Sequence, residues 1–252
     1  LNHILFCYKD YFNSNNIISS FKLKKFLNNE SYKNFRFEKK DICDLDRMFE
    51  CDYFINTAAE THVGNSIARN DEFLSTNILG VSNILNLIRR SNIDTNKLPT
   101  FFHFSTDEVY GESKTNERFT EESAVLKPTN PYAASKAGAE MIIHSYIESF
   151  NMNAKIIRCN NVYGPNQYPE KLIPKFKRLL KQGEKCTIHG SRSASIKRAF
   201  MHVEDVVDAV DVVWNRGTPG EVYNIASDDE LSVMEVTKLI IETIQDTTDY
   251  DK

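Results

Sequence analysis

Short apolar runs alternate with longer segments of helical periodicity along most of the chain. The apolar runs have four or five residues and are mostly rich in Ile, Phe, Val or Tyr, which predicts strands. They are Ile4–Cys7, Phe35–Glu38, Tyr53–Asn56, Thr100–Phe104, Ala154–Ile157, Cys186–His189 and Glu221–Ile225. Apolar residues at intervals of three and four predict helices over 70–91, 131–150, 170–182, 204–215 and 232–245.

This alternation, with strands that are apolar almost throughout, is typical of a parallel sheet covered by helices on both faces. We therefore predict an α/β fold with a doubly wound parallel sheet. Ligands of such sheets bind beyond the carboxyl ends of the strands, so we expect catalytic and binding residues directly after the strands. The polar stretch Asn13–Glu30 predicts a loop and a poor helix, and Ser191–Lys197 predicts a surface loop.

The composition is ordinary for a soluble globular chain and excludes several classes of protein. Of the 252 residues, 26% are charged and 41% are hydrophobic, which argues against global disorder. No apolar run approaches the ~20 residues of a membrane-spanning helix. The net charge of −4 offers no basic footprint for nucleic acid. We expect neither a membrane nor a nucleic-acid partner.

The positions of the cysteines and glycines argue against a metal site and against a glycine-rich phosphate loop. The five cysteines form no CxxC pair and no cluster with histidine, so we expect reduced thiols, a cytoplasmic location and no metal site. No two of the nine glycines lie within two positions of each other, which rules out a GxGxxG or Walker-type loop in this chain. The chain opens on Leu1 within an apolar run and ends without an evident stop, so we expect a fragment cut at both ends.

A tyrosine and a lysine stand four residues apart at the start of a predicted helix. Tyr132 and Lys136 follow Asn130 and Pro131, and proline suits the first turn of a helix. Residues four apart share one helix face, where the ammonium lowers the pKa of the phenol and makes a general base of it. The alternative is a surface Tyr/Lys pair.

A second cluster follows the strand at Thr100–Phe104. The apolar run ends in Ser105 and Thr106 and then in the adjacent carboxylates of Asp107 and Glu108. Neighbouring carboxylates repel, so the pKa of one tends to rise, and such a pair supplies both an acid and a base. The alternative is a solvated turn in which Thr106 and Asp107 cap a short helix.

In this order and spacing, the two clusters resemble the extended short-chain dehydrogenase/reductase family, and more narrowly its nucleotide-sugar 4,6-dehydratases of the dTDP-glucose or UDP-glucose type. The resemblance covers nearly the whole chain, and its most specific element is the run from Thr106 to Gly111. Further matching segments are Asp41-Ile42, Ala58 to Val63, Thr76-Asn77, Asn130 to Lys136, Asn160 to Pro165, Tyr168 to Pro174 and Arg198.

The resemblance implies a reaction that recycles NAD. Tyr132 takes the proton of the sugar 4-hydroxyl, with Thr106 on the 4-oxygen and Lys136 on the nicotinamide ribose. Glu108 then removes the C5 proton, and Asp107 protonates the departing 6-hydroxyl. The product is a 4-keto-6-deoxy sugar nucleotide, and the implied partners are a dTDP- or UDP-glucose substrate and a second copy of the chain, paired through the helices at 70–91 and 131–150.

The resemblance also implies binding residues and domains. The implied cofactor residues are Asp41, Ile42, Ala58, Ala59, Thr61, Asn77, Tyr132, Lys136 and Val162. The implied substrate residues are Thr106, Asn161, Glu170, Lys171, Leu172, Thr187, Ile188, His189 and Arg198. Residues 1–164 correspond to an NAD-binding Rossmann domain with an incomplete N-terminus. Residues 165–252 correspond mainly to an incomplete nucleotide-sugar lobe, whose chain returns to the Rossmann sheet.

Several departures from the family pattern leave two alternatives open. The first strand and the glycine-rich pyrophosphate loop are absent from this sequence, and Cys7 stands where an acidic residue is expected. Because that loop is the main anion site for the cofactor diphosphate, we expect the chain as given to bind NAD poorly. The alternatives are a UDP-sugar 4-epimerase or decarboxylase of the same fold, and a degenerate, non-catalytic Rossmann binding module.

Overall fold

A computed structural model describes residues 4–7, 40–48, 50–95, 98–112, 119–122, 124–188 and 197–250. Two units make up the chain: Leu1–Phe104 with Lys127–Ala154, and Ser105–Leu126 with Lys155–Lys252. The predicted strand Phe35–Glu38, the stretch Asn13–Glu30 and most of the predicted loop Ser191–Lys197 lie outside the described residues. The division into 1–164 and 165–252 concerns binding roles and stays a prediction.

The strands of the first unit form a parallel sheet. They are β1 (Ile4–Cys7), β2 (Tyr53–Asn56) and β3 (Thr100–Thr106), whose last two residues belong to the second unit. β2 pairs in parallel with β1 on one side and with β3 on the other, so that Tyr53 lies opposite both Ile4 and Thr100. Phe54, Phe101 and Phe102 are at most 1% exposed and form the centre of the core. These strands were predicted, although β3 runs two residues further.

The helices of the first unit are α1 (Val63–Ala68), α2 (Asn70–Leu74), α3 (Val81–Thr95) and α4 (Pro131–Phe150). The predicted helix at 70–91 is thus present, but a π-helical segment, Ser75–Gly80, joins its two parts. A Cβ on Gly80 would lie 2.6 Å from Cδ1 of Ile42. A larger residue at this position would therefore force the buried side chain of Ile42 to move. The predicted bounds of α4 are confirmed.

The strands of the second unit form parallel and antiparallel pairs. β4 (Ala154–Cys159) starts on the last residue of the first unit and pairs in parallel with β7 (Val222–Ile225). A separate sheet contains β5 (Asn161–Tyr163), β6 (Lys197–His202) and β8 (Glu230–Ser232). β6 runs parallel to β5 and antiparallel to β8, so this smaller sheet is mixed, whereas the predicted parallel pairing holds for β1 with β2, β2 with β3 and β4 with β7.

The helices of the second unit are α5 (Leu172–Lys181), α6 (Val203–Arg216) and α7 (Val233–Gln245). All three were predicted to within two residues. α7 begins with a capping box, in which Ser232 and Glu235 satisfy each other's backbone N–H groups. Within the described ranges, no helix combines the length and the hydropathy that crossing a membrane requires.

One predicted strand is absent and three strands were missed. Residues 186–188 of the predicted strand Cys186–His189 form no strand, and His189 lies outside the described residues. β5 and β8 have three residues each, too few to show an alternation of apolar and polar side chains. β6 contains two basic residues and a histidine among its six, so its sequence does not read as an apolar run. These short strands are defined by their partners in the sheet more than by their own composition.

Candidate active site

The first two turns of α4 place Tyr132 and Lys136 on one face of the helix. Asn130 caps the helix, because its Oδ1 accepts a hydrogen bond of 2.8 Å from the N–H of Ala133, and Pro131 follows at the first helical position. Tyr132 is 9% exposed and Lys136 is 3% exposed. The interpretation of these residues as a surface pair is therefore wrong.

The ammonium group of Lys136 is held by the end of β3. Its Nζ donates to the carbonyl oxygen of Phe104 at 2.5 Å and lies 3.4 Å from Nε2 of His103. Phe104 is the last residue of β3 that belongs to the first unit, and Thr106 and Asp107 follow it in the chain. Lys136 is therefore fixed at the carboxyl end of a parallel strand, where ligands of such sheets bind.

His103 is a functional candidate that sequence analysis did not predict. Its side chain is fully buried, and its Nδ1 lies 3.2 Å from Nδ2 of Asn56. The amide of Asn56 is oriented by the N–H of Ala58, which donates to Oδ1 at 3.2 Å. Burial, followed by the charge of Lys136, holds the pKa of His103 well below its ordinary value of 6.5. The ring is therefore neutral. A histidine inside an apolar strand was the one sign of it in the sequence.

Asn77 braces the loop that follows β2. It is 1% exposed, its Oδ1 accepts from the N–H of Glu60 at 2.8 Å, and its Nδ2 donates to the carbonyl oxygen of Glu60 at 3.0 Å. Nδ2 also donates to Oγ of Ser135 on α4 at 2.8 Å. The loop carries Ala58, which is buried, and Ala59 and Thr61, which are partly exposed. Asn77 thereby fixes the backbone of the loop on which three predicted cofactor residues lie.

Asp41 and Ile42 form the start of a short 3₁₀ turn. Oδ1 of Asp41 caps the turn by accepting from the N–H of Cys43 at 2.9 Å. Ile42 is 1% exposed, and its carbonyl oxygen accepts from Nδ2 of Asn83 on α3 at 2.9 Å. The turn is therefore held against α3 and the π-helical segment by a hydrogen bond and by close packing.

The second cluster lies in the second unit, where β3 ends. Thr106 caps the 3₁₀ turn Asp107–Tyr110, because its Oγ1 accepts from the N–H of Glu108 at 3.3 Å. The same hydroxyl donates to Oδ1 of Asp107 at 3.2 Å. Gly111 ends the turn with a φ of 85°, which favours glycine. The alternative prediction was a solvated turn capped by Thr106 and Asp107. Thr106 does cap the turn, but Thr106, Val109 and Tyr110 are buried, so the turn is not a solvated one. The capping leaves Asp107 and Glu108 in the first turn.

Burial and neighbouring charges set the protonation of this cluster. The pKa of Asp107 is raised by burial, and Glu108 raises it further, although hydrogen bonds from Asn160 and Thr106 and the charge of Arg198 lower it. Nδ2 of Asn160 lies 2.7 Å from Oδ2 of Asp107. An aspartate with a raised pKa keeps its proton to higher pH, as a general acid must.

Two predicted substrate residues influence the same carboxylates. The pKa of Lys171 is lowered by burial, whereas the charges of Glu170 and Glu108 raise it. Arg198 lies on β6 and acts on Asp107. The second unit therefore brings together the predicted residues Thr106, Asp107, Glu108, Glu170, Lys171 and Arg198.

A buried network that the sequence did not indicate supports the turn. Nη1 of Arg158 donates to Oη of Tyr110 at 2.6 Å, and that hydroxyl donates to Oδ1 of Asn224 at 2.8 Å. The guanidinium carbon lies 4.7 Å from the centre of the Tyr110 ring. Arg158 is 4% exposed on β4. Tyr110 ends the turn that begins with Asp107, so this network links the turn to β4 and β7.

The remaining predicted residues have separate positions in the second unit. Asn161 and Val162 lie on β5, where Nδ2 of Asn161 donates to the carbonyl oxygen of Ala199 at 3.3 Å. Leu172 begins α5. Thr187 is exposed and Ile188 partly buried in the segment after α5.

The chain is similar to proteins of known activity. The model of the NAD dependent epimerase/dehydratase family matches residues 13–226. A dTDP-D-glucose 4,6-dehydratase of Dictyostelium discoideum is 42% identical over 223 residues, which are 82% of this chain and 50% of that protein. A trifunctional UDP-glucose 4,6-dehydratase/3,5-epimerase/reductase of Arabidopsis thaliana is 41% identical over 221 residues, 85% of this chain and 32% of that protein. The chain thus spans half or less of the length of these two relatives.

The chain is also similar to a solved structure of a dehydratase. The dTDP-glucose 4,6-dehydratase of Streptomyces venezuelae, crystallised with NAD bound, is 31% identical and matches with a TM-score of 0.81. The match covers 96% of this chain and 71% of that chain. The predicted doubly wound α/β fold is thereby confirmed.

Proposed function

The chain belongs to the NAD dependent epimerase/dehydratase family, and we propose that the protein is a nucleotide-sugar 4,6-dehydratase that converts dTDP- or UDP-glucose into its 4-keto-6-deoxy product. The observation that carries the proposal is the pair of Asp107 and Glu108 after β3. Burial raises the pKa of Asp107, and Glu108 lies next to it in the same capped turn. An acid beside a base is what the elimination of water requires.

The chain's own residues supply the proton transfers of this reaction. Tyr132 takes the proton of the sugar 4-hydroxyl, and the positive charge of Lys136 stabilises the phenolate. Glu108 removes the proton from C5, the C6–oxygen bond breaks, and Asp107 gives its proton to the departing hydroxyl, which leaves as water. Glu108 returns the proton to C5 as C6 receives the hydride, and the proton that Tyr132 took up balances the one that Asp107 gave up. Each such transfer contributes a factor of about 10²–10⁴ to the rate.

The residues around β2 and β3 fit a nicotinamide cofactor. The braced loop at 57–62 follows the carboxyl end of a parallel strand, and the buried ammonium of Lys136 suits a ribose hydroxyl. We assign the cofactor to Asp41, Ile42, Ala58, Ala59, Thr61, Asn77, Tyr132, Lys136 and Val162. NAD held by these residues would supply the acceptor for the hydride that leaves C4 and the donor of the hydride that C6 receives.

The substrate is assigned to residues of the second unit. Lys171 and Arg198 carry the positive charge that a nucleotide diphosphate needs, and arginine binds phosphate with a planar fork of donors. The other assigned residues are Thr106, Asn161, Glu170, Leu172, Thr187, Ile188 and His189. The relatives named above act on dTDP- and on UDP-glucose, so the proposal includes both nucleotides.

A second copy of the chain is the proposed protein partner. Large apolar side chains on the helices of the first unit are exposed, among them Ile67 at 70%, Leu79 at 64% and Met141 at 53%. Exposed apolar side chains on neighbouring helices are typical of an interface between subunits. Light scattering on the parent and on Leu79→Glu tests this: the variant should have half the mass of the parent, and a monomeric parent contradicts the proposal. The cytoplasmic location stays a prediction.

A product assay tests the activity. The full-length protein is incubated with NAD and with dTDP-glucose, UDP-glucose or UDP-glucuronate in turn, and the product is identified by mass spectrometry and NMR. A dehydratase releases a sugar nucleotide that is lighter by one water and has a methyl group at C5. A product of unchanged mass with an inverted C4 indicates the epimerase, and loss of carbon dioxide from UDP-glucuronate indicates the decarboxylase. An unchanged substrate in every case favours the non-catalytic module.

A further inference from the structure

The side chain of Asn160 makes one hydrogen bond although it has both a donor and an acceptor end. Its Nδ2 lies 2.7 Å from Oδ2 of Asp107. Its Oδ1 is buried and has no hydrogen-bond partner among the residues that the structure describes. The backbone of Asn160 is fixed, because its N–H donates to the carbonyl oxygen of Ile225 on β7 at 3.2 Å. The backbone of Asn160 is therefore fixed, while one of the two ends of its side-chain amide has a hydrogen-bond partner.

The two ends of an amide have nearly the same size, and a half-turn about the last side-chain bond exchanges them. A separation of 2.7 Å suits an N–H that donates to a carboxylate, and it equally suits a carboxylic acid O–H that donates to a carbonyl oxygen. In either orientation one end is bonded to Asp107 and the other end has no protein partner. The half-turn therefore changes neither the number of hydrogen bonds nor the fit of the side chain.

We propose that Asn160 is a positioning residue that follows the protonation of Asp107, presenting Nδ2 to the carboxylate and Oδ1 to the carboxylic acid. The hydrogen bond is kept in both states, so that Asp107 holds one position before and after it gives up its proton. A lysine in this place could not do the same, because an ammonium group carries three donors and no acceptor.

The use of this device in catalysis rests on the proposed function. When Asp107 protonates the departing hydroxyl, it changes from an acid into a carboxylate within one step, and the amide turns to donate to it. The charged groups that face Asp107 are Glu108 on the same turn and Arg198 on β6, of which Glu108 raises the pKa of Asp107 and Arg198 lowers it. Neither carries both a donor and an acceptor, so neither can hold the group equally well in both states.

NMR of the asparagine side chains tests the proposal without any turnover. In the full-length protein with isotope-labelled asparagine, the amide signals of Asn160 are assigned by their loss in Asn160→Leu. We expect these signals to shift with pH in a single titration, because the N–H groups change partner when Asp107 ionises. The shift should vanish in Asp107→Asn and persist in Glu108→Gln.

The control is Asn153, a comparable amide in the first unit. Its Nδ2 donates to Oγ1 of Thr100 at 2.9 Å, and its Oδ1 is likewise buried without a partner. Its signals should not titrate, since no carboxyl group is its partner. Asn160 signals that stay constant across the titration, or that titrate equally in Asp107→Asn, overturn the proposal.

A kinetic measurement separates this inference from the proposed function. In Asn160→Leu we expect kcat to fall by about tenfold or more, within the range that a positioned acid contributes, while KM for the nucleotide sugar stays nearly unchanged. Asn153→Leu should leave kcat unchanged. A higher KM for the nucleotide sugar with an unchanged kcat overturns the positioning role. If the parent protein forms no 4-keto-6-deoxy product, the proposed function fails, and the NMR titration still decides the inference about Asn160.

Discussion

Nζ of Lys136 lies 3.4 Å from Nε2 of His103, and both side chains are buried in the first unit. Protonation of His103 would place an imidazolium next to a buried ammonium group. Burial and this charge together hold the pKa of His103 well below 6.5. A neutral imidazole beside Lys136 therefore leaves the positive charge of the site to the lysine.

The first prediction concerns the pH dependence of stability. The unfolded chain takes up a proton at His103 below about pH 6.5, whereas the folded chain does not, so acid favours the unfolded state. The contribution of His103 is fully present above about pH 6.5 and is lost as the pH falls, by up to about 1.4 kcal/mol per pH unit. Urea denaturation between about pH 7 and pH 5 should show this slope reduced in His103→Gln.

His144 provides the matched control for that experiment. It lies partly exposed on α4 in the same unit. His144→Gln should keep the slope of the parent protein. If His103→Gln and the parent lose the same free energy of unfolding per pH unit, His103 is not the neutral residue that the structure indicates.

The second prediction concerns the proton transfers of the proposed reaction. In the active full-length protein, Glu108→Gln removes the base for the C5 proton, and Tyr132→Phe removes the base for the 4-hydroxyl. Each should lower turnover by at least about 10²-fold, the lower end for a general acid or base. Steady-state kinetics with both sugar nucleotides checks this. The control is Glu112→Gln, at an exposed carboxylate just beyond the turn, and it should keep the turnover of the parent. Near-normal turnover of Glu108→Gln or of Tyr132→Phe excludes the role assigned to that residue.

The third prediction concerns the brace formed by Asn77. Asn77→Leu removes three hydrogen bonds, each worth about 0.5–1.5 kcal/mol, so the free energy of unfolding should fall by about 2–4 kcal/mol. The loop at 57–62 then loses its fixed backbone, and NAD should bind the full-length protein more weakly. Chemical denaturation and calorimetric titration with NAD measure the two effects. Asn215→Leu, at an exposed position on α6, should change neither, and a fully stable Asn77→Leu contradicts the bracing role.

The sequence predicted the elements whose periodicity is strong and whose ends carry local signals. α4 begins at Pro131, as predicted, because the preference of proline for the first turn is a local signal in the chain. β5 and β8 could not be predicted, because three residues carry no period, and their hydrogen-bonding partners are distant in sequence.

The residues of the candidate site also differ in how far the sequence predicts them. Tyr132 with Lys136 and Asp107 with Glu108 are recognisable because each pair has a fixed local spacing and matches a family motif. Asn160, His103 and Arg158 act through partners that the fold brings to them, and nothing in their own neighbourhood of the sequence reveals those partners. The sequence showed His103 and Arg158 only as polar residues within apolar strands, and Asn160 only as the start of a matching segment after β4.

The last prediction concerns Tyr110, which joins the turn of the carboxylates to two strands. Its hydroxyl accepts from Arg158 and donates to Asn224, so Tyr110→Phe removes both hydrogen bonds and leaves a guanidinium group that is 4% exposed with one acceptor fewer. An unsatisfied buried polar group costs about 1–3 kcal/mol, and we expect the free energy of unfolding to fall by that amount. Because the turn from Asp107 to Tyr110 loses its attachment at one end, kcat should fall while KM changes little.

Tyr146→Phe separates this effect from the general loss of a tyrosine hydroxyl. Oη of Tyr146 donates to Oδ1 of Asn86 at 2.8 Å in the first unit, away in sequence from the carboxylates. This variant should lose stability through its one hydrogen bond but keep kcat. In the double variant Tyr110→Phe/Arg158→Met, part of the stability lost in Tyr110→Phe should return, because the buried charge that donated to the phenol is gone. The kcat of the double variant should stay low. If Tyr110→Phe and Tyr146→Phe lower kcat equally, the network around Arg158 supports the fold alone and does not position the acid and the base.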